Sequence, residues 1–186
     1  MTSAREPLDP AGLTFRPATR ADFPLLHRWF HEAHAKEWYA KRGATLADVT
    51  AEYGPYIDGE TPIHVYVVAH DSVPIGMMQW CRFGDFDFLM NDYQVTDRNA
   101  CNCDVLIGEP AAAYRGLGAP MVLKFLREIV YVHADVTSCF IDPEAKNAIA
   151  IRVYQRAGFH FVRDVKDDEG TEVHLMEMSR EEITSR

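Results

Sequence analysis

Two glycines stand close together in Arg115-Gly116-Leu117-Gly118-Ala119, just after Tyr114 and before an amphipathic segment. Glycines let the backbone turn tightly, and the first amide N–H groups of the following helix have no intrahelical partner, so they can point at an anion. The stretch lacks the Gly-Lys-Ser/Thr ending of a P-loop and the third glycine of the dinucleotide fingerprint. It is a loop suited to a pyrophosphate. Further on, Asn147 can start a helix, Ala150, Val153, Tyr154 and Ala157 share one of its faces, and Gly158 can end it before a strand at Phe159. Tyr154 therefore faces inward, as a packed ring or as a hydroxyl that touches a ligand.

The elements that must position these residues alternate between strand and helix. Leu13 to Arg16 reads as a strand, and Thr19 with Asp22 caps a helix through Phe30. Thr45 caps a second helix to about Tyr56. Val65 to His70, a turn around Asp71 to Pro74, and Ile75 to Phe83 form a hairpin, followed by an irregular acidic loop, Gly84 to Asp92. Cys101 to Ile107 is the strand before the glycine loop. The next helix reaches about Val132, with Val122, Phe125, Leu126, Ile129 and Val130 on one face. Ser138 to Ile141, the Asn147 helix, and strands near Phe159 to Val165 and Glu172 to Met178 complete the order.

The 186 residues suit a single domain, read over residues 12–180, with a flexible segment at 1–11 and a tail at 181–186. Nineteen basic against 28 acidic residues give a formal net charge of −9, which disfavours nucleic acid and anionic membranes and favours a small cationic partner. No run has the length of a membrane helix, and the N-terminus has no apolar signal core, so a cytoplasmic bacterial protein is expected, monomeric or homodimeric. Cys81, Cys101, Cys103 and Cys139 offer one Cys-x-Cys pair, poor spacing for zinc, and are read as reduced structural thiols. His31 and His34 are three apart rather than four. They are read as exposed or cleft-lining helix residues, and no metal is expected.

Tyr114-Arg115-Gly116-Leu117-Gly118-Ala119 resembles the coenzyme A pyrophosphate loop of the GCN5-related N-acetyltransferases (GNAT). The second block carries that superfamily's skeleton, Asn147, Ala150 (Asn-x-x-Ala), Tyr154 and Gly158-Phe159. The resemblance covers about residues 12–180 and implies an α/β (α+β) fold, a mixed and mostly antiparallel sheet of about six to seven strands flanked by about four helices. It implies acetyl-CoA as cosubstrate, held by Val105, Leu106, Ile107, Tyr114 to Ala119, Asn147, Ala150 and Tyr154.

Asp104 to Pro110, Glu37-Trp38, Pro74 to Gln79 and Asp142-Pro143 resemble the aminoglycoside 6′-N-acetyltransferases within that superfamily. By this resemblance Asp104, Gln79 and Asp142 line an aminoglycoside pocket. The family chemistry needs an acid. The acceptor arrives as an ammonium ion and must lose a proton before attacking a thioester, so Asp104 would hold the amine and take the proton directly or through water. Backbone N–H groups of residues 104–107 would stabilise the oxyanion, and Tyr154 would protonate the leaving sulfur.

Asp85, Asp87 and Asp92, interleaved with Phe86, Phe88 and Tyr93, either recognise a multiply charged amino sugar or form a solvated loop. Trp38 and Tyr39 are candidate pocket walls, and Glu169 and Glu172 candidates for its far edge. Asn102 replaces a residue that is often glycine in those enzymes, a difference expected to matter little. The rival resemblance is to hydroxamate-siderophore N-acyltransferases, through Leu106 to Pro110, but histidine is expected there at the position of Asp104. A coenzyme A-binding module without turnover would need the loop alone.

Overall fold

The computed structural model describes residues 6–39, 43–167 and 170–185. Seven strands are hydrogen-bonded in the order β1-β2-β3-β4-β5-β7-β6: β1 (Leu13–Pro17), β2 (His64–His70), β3 (Val73–Arg82), β4 (Cys101–Ile107), β5 (Ser138–Ile141), β6 (His160–Lys166) and β7 (Glu172–Ser179). β1 and β2, β5 and β7, and β6 and β7 pair antiparallel, whereas β4 and β5 pair in parallel. The mixed sheet expected from the sequence is present. Seven α-helices accompany it among the described residues: α1 (Phe23–Phe30), α2 (Lys36–Tyr39), α3 (Leu46–Ile57), α4 (Asp87–Tyr93), α5 (Gly118–Phe125), α6 (Ala148–Ala157) and α7 (Arg180–Thr184). The short helices α2, α4 and α7 are additions to the expected set.

One compact unit comprises Met1–Gln79 with Val105–Leu117. Helix α1 buries Phe23, Leu26, Trp29 and Phe30, spaced three and four apart, against Val49 and Tyr53 of α3, Val65 and Val67 of β2, Met77 and Leu106. Full burial of each such side chain contributes about 1.5–3 kcal/mol. Both helix starts carry reciprocal capping boxes, Thr19 with Asp22 and Thr45 with Asp48. The Asp22 carboxylate also takes two bonds from Arg16, at 2.6 and 2.9 Å. Gly108 lies flat against Trp29, where a Cβ would come within 2.1 Å of the indole, so the chain can leave β4 here only with glycine.

Helix α1 ends at Phe30, one turn earlier than a helix carrying His31 and His34 requires. The His31 amide bonds back to Arg28 O at 3.1 Å, and its Nδ1 lies 2.8 Å from His27 O. These contacts close the last turn, so His31 and His34 sit in the connection to α2.

The other compact unit comprises Trp80–Asp104 with Gly118–Arg186. Its aromatic core joins Phe83, Tyr93, Val95, Phe140, Val165 and Leu175. The segment expected to be an irregular acidic loop is ordered: a 3-10 turn at Phe83–Asp85 leads into α4, which buries Tyr93 and ends on Gln94 in the left-handed conformation. Phe83 and Tyr93 anchor it by edge-to-face packing at 6.0 Å. Helix α5 also departs from expectation. After Phe125 it widens into a π turn over Leu126–Val130, with Tyr131 N bonded to Leu126 O at 2.7 Å. The extra residue turns Val130 inward and leaves Ile129 half-exposed. Residues 181–185 extend β7 as a helix capped by Ser179 and Glu182.

Candidate active site

In the first unit the glycine loop has the strained backbone that close approach to an anion demands. Tyr114 adopts φ 60° and Gly116 φ 81°. A left-handed tyrosine is uncommon, and its ring stays 66% exposed rather than packing. The guanidinium of Arg115 is turned back onto the carbonyls of Glu6 and Ala111, while Leu8 N bonds to Arg115 O at 3.0 Å. The segment from Glu6 to Leu8 therefore braces the loop, and residues 1–5 lie outside those described. Leu117 is buried, which fixes the loop's end.

Side chains, rather than a strand, take the carbonyls at the end of β4 in this unit. The Tyr39 hydroxyl donates to Val105 O at 2.9 Å, and His34 Nε2 lies 2.8 Å from Ile107 O. Residues two apart on a strand present their amide and carbonyl to the same edge, so Val105 and Ile107 share this one and Leu106 turns to the opposite edge. The Tyr39 ring stacks on Phe30 at 5.7 Å. Trp38 and Gln79 are half-buried.

In the second unit, Gly118 opens α5 so close to α6 that a Cβ would lie 2.8 Å from Val153 Cγ1, and Ala119 follows it. Asn147 caps α6, its Oδ1 accepting from Ala150 N at 3.1 Å, and Gly158 closes the helix at φ 108°. Tyr154 is 7% exposed, with its ring 6.1 Å from that of Phe159. Burial there strengthens whatever polar contact the hydroxyl makes.

The acids of this unit converge. β4 pairs with β5 at Cys101–Cys139 and Asn102–Phe140, and Asp142 stands just beyond β5. Its carboxylate is held at both oxygens: Tyr93 Oη donates to Oδ2 at 2.6 Å and Asn102 Nδ2 to Oδ1 at 2.9 Å. Burial pushes the Tyr93 phenol far up, and the negative charges of Asp142, Asp104 and Asp167 push it further. The Cys81 thiol is raised likewise, first by burial and then by Cys101, Asp104, Asp85 and Asp142. Two independent groups thus feel the same acids, Asp104 and Asp142.

Asp87 and Asp92 are exposed on α4, and Asp87 pairs with Arg98 at 3.4 Å. Glu172 is exposed at the start of β7, where its backbone accepts from Ala145 N. Glu169 lies outside the described residues. Sequence reasoning missed Tyr93, Asn102 and Asp167 as members of this group. Asn102 was within reach, because it lies two residues before Asp104 and so shares its face of β4. The difference from glycine at this position, expected to matter little, gives Asp142 one of its two partners.

Cys101, Cys103 and Cys139 bring their sulfurs within 4.8 Å of one another, all fully buried. Burial, reinforced by the neighbouring sulfurs, holds Cys103 and Cys139 well above the ordinary thiol range, so they remain protonated packing groups. Among the described residues no helix is long and apolar enough to cross a membrane.

Residues 18–167 match the family model described as an acetyltransferase (GNAT) domain. An aminoglycoside N(6′)-acetyltransferase type 1 of Klebsiella pneumoniae is 29% identical over 168 residues, which cover 89% of this chain and 82% of the relative. Among solved structures, aminoglycoside acetyltransferase AAC(6′)-Ib with coenzyme A superposes with a TM-score of 0.82 at 29% identity, covering 93% of this chain and 98% of that one. AAC(6′)-Ib with ribostamycin and coenzyme A gives a TM-score of 0.83 at 28% identity, covering 94% and 97%.

Proposed function

This chain belongs to the acetyltransferase (GNAT) family, and from that membership we propose that it transfers an acetyl group from acetyl-CoA to the 6′-amine of an aminoglycoside. The observation that carries the acceptor assignment is the convergence of Asp104 and Asp142, with Asp85 and Asp167 also felt by the buried groups. Such a group of carboxylates suits a polycation, since each ammonium of an amino sugar needs an anionic partner once water is displaced. The similarity to the 6′-acetyltransferases over most of the chain supports the same reading.

The donor side fits coenzyme A. The left-handed Gly116 and the open N-terminus of α5 at Gly118 can cradle a pyrophosphate with backbone N–H groups, and neither position tolerates a Cβ without adjustment. Val105 to Ile107 would run beside the pantetheine, and Asn147 and Ala150 would support the loop from the start of α6. Acetyl-CoA supplies an activated thioester carbonyl.

In the transfer, Asp104 orients the acceptor ammonium and accepts its proton directly or through water. The free amine forms a bond to the carbonyl carbon as the C–S bond breaks. A β4 amide stabilises the oxyanion, and the Tyr154 hydroxyl returns a proton to the sulfur. Trp38, Tyr39 and Gln79 would wall the acceptor pocket. Residues 12–180 would work together as one catalytic domain.

A thiol-release assay tests this assignment with acetyl-CoA and kanamycin, a 6′-hydroxyl analogue, and N-hydroxylysine. Release with kanamycin and silence with the analogue are expected. Release with N-hydroxylysine alone would replace the assignment with siderophore-type acylation, and acetyl-CoA binding without any release would leave a binding module.

A further inference from the structure

Asp142 is fixed by residues from two different elements, and the reading of this site as an aminoglycoside pocket gives that fixation a purpose. Asn102 projects from β4, on the same face as Asp104, and donates to Asp142 Oδ1 at 2.9 Å. Tyr93, the last residue of α4, donates to Oδ2 at 2.6 Å. Tyr93 is 6% exposed and wedged against Phe83, which in turn packs edge-on against Phe140 of β5 at 5.4 Å. Asn102 is the register partner of that same Phe140.

Donors on both oxygens favour the ionised carboxylate and set its plane, leaving the remaining lone pairs to face a cationic ligand in one direction. We infer that Asn102 and Tyr93 are positioning residues for acceptor recognition, clamping Asp142 so that its charge meets an ammonium group of the aminoglycoside. The inference rests on the proposed function of the preceding subsection. It assigns to α4 a second task besides carrying exposed acids: through Tyr93, the acidic segment sets the geometry of a carboxylate on another element.

The physical logic separates this role from plain packing. Asn102→Asp keeps the side chain's size and replaces the donor with a second negative oxygen facing Asp142. The two carboxylates then repel, or share a proton, and either result removes the fixed charge. Asn102→Gly removes the donor without adding repulsion. Tyr93→Phe keeps the buried ring and deletes only the hydroxyl. None of the three touches the glycine loop or Tyr154.

The test is steady-state kinetics of the three variants with kanamycin and acetyl-CoA, alongside kanamycin affinity by calorimetry in the presence of coenzyme A. Thermal melting serves as the folding control. KM and Kd for kanamycin are expected to rise about tenfold in Asn102→Asp and somewhat less in Asn102→Gly and Tyr93→Phe, the size of a lost charge-assisted hydrogen bond. KM for acetyl-CoA should stay within twofold of wild type. Folded variants with unchanged kanamycin KM and Kd would overturn the clamp while leaving the aminoglycoside assignment standing. A wild type that neither binds nor acetylates kanamycin would overturn that assignment, and the clamp's purpose with it.

Discussion

The glycine loop and the acid group solve opposite binding problems. From Tyr114 to Ala119 the protein offers backbone: left-handed residues at Tyr114 and Gly116, a helix start at Gly118, and an arginine whose charge is spent on its own chain's carbonyls. Around Asp104 and Asp142 it offers side chains, carboxylates whose effect reaches buried neighbours. Backbone recognition depends on what is missing, since a single Cβ can spoil it, whereas charge recognition depends on what is present and can be retuned by one substitution. The difference teaches that this fold's donor chemistry is held in shape and its acceptor choice in charge.

The largest blow to that contrast should come from Asp104→Asn. It removes the charge and the proton acceptor together, so kcat/KM for the aminoglycoside is expected to fall about a hundredfold or more, with acetyl-CoA affinity unchanged by calorimetry. A parallel loss of acetyl-CoA binding would show that the two regions are not separable. Tyr154→Phe should lower kcat about ten- to a hundredfold while leaving both KM values near wild type, because only leaving-group protonation is lost. If kcat holds, the hydroxyl of this buried ring is a packing feature.

Gly118→Ala probes the other side. Its Cβ would meet Val153 at 2.8 Å, forcing α5 and α6 apart, so a stability loss of about 1–3 kcal/mol is expected. KM for acetyl-CoA should rise severalfold in the same variant, whereas aminoglycoside affinity should not move. Denaturant titration and donor-saturation kinetics read the two effects.

The smallest effect concerns neither site. Hydrogen bonds from Arg16, followed by those from Thr19, hold the Asp22 carboxyl down, from 3.8 to about 2. A depressed folded value stabilises the protein above about pH 4, and that contribution is lost as the pH falls toward 2. Arg16 is half-exposed, so solvent screening reduces it to about 1–2 kcal/mol. Asp22→Asn should cost that much at pH 7 and almost nothing near pH 2, as measured by urea unfolding at the two pH values.

The contrast between backbone and side chain also explains what could be read from the sequence. The loop at Arg115–Ala119 and the α6 frame from Asn147 to Gly158 were legible because they rest on local rules: glycine at a turn, asparagine at a cap, apolar residues at helical spacing. The strand order likewise followed from alternating elements. Helix α4 escaped because the pattern Asp85 to Tyr93 alternates acids and aromatics, and only the burial of Phe83 and Tyr93 in the unit's core makes it helical. The π turn at Leu126 was hidden for a similar reason, since a helical stripe reads nearly the same with one residue added. Tyr93 and Asn102 were invisible as a pair because their connection runs through Asp142, far from Tyr93 in sequence, and no local signal reports it.

The most direct measurement is the position of the acetyl group on the product. Kanamycin incubated with the protein and acetyl-CoA, with the product analysed by NMR, should carry one acetyl group on the 6′-nitrogen, and the 6′-hydroxyl analogue should remain unmodified. An acetyl group on another amine, or comparable turnover of the analogue, would contradict the account.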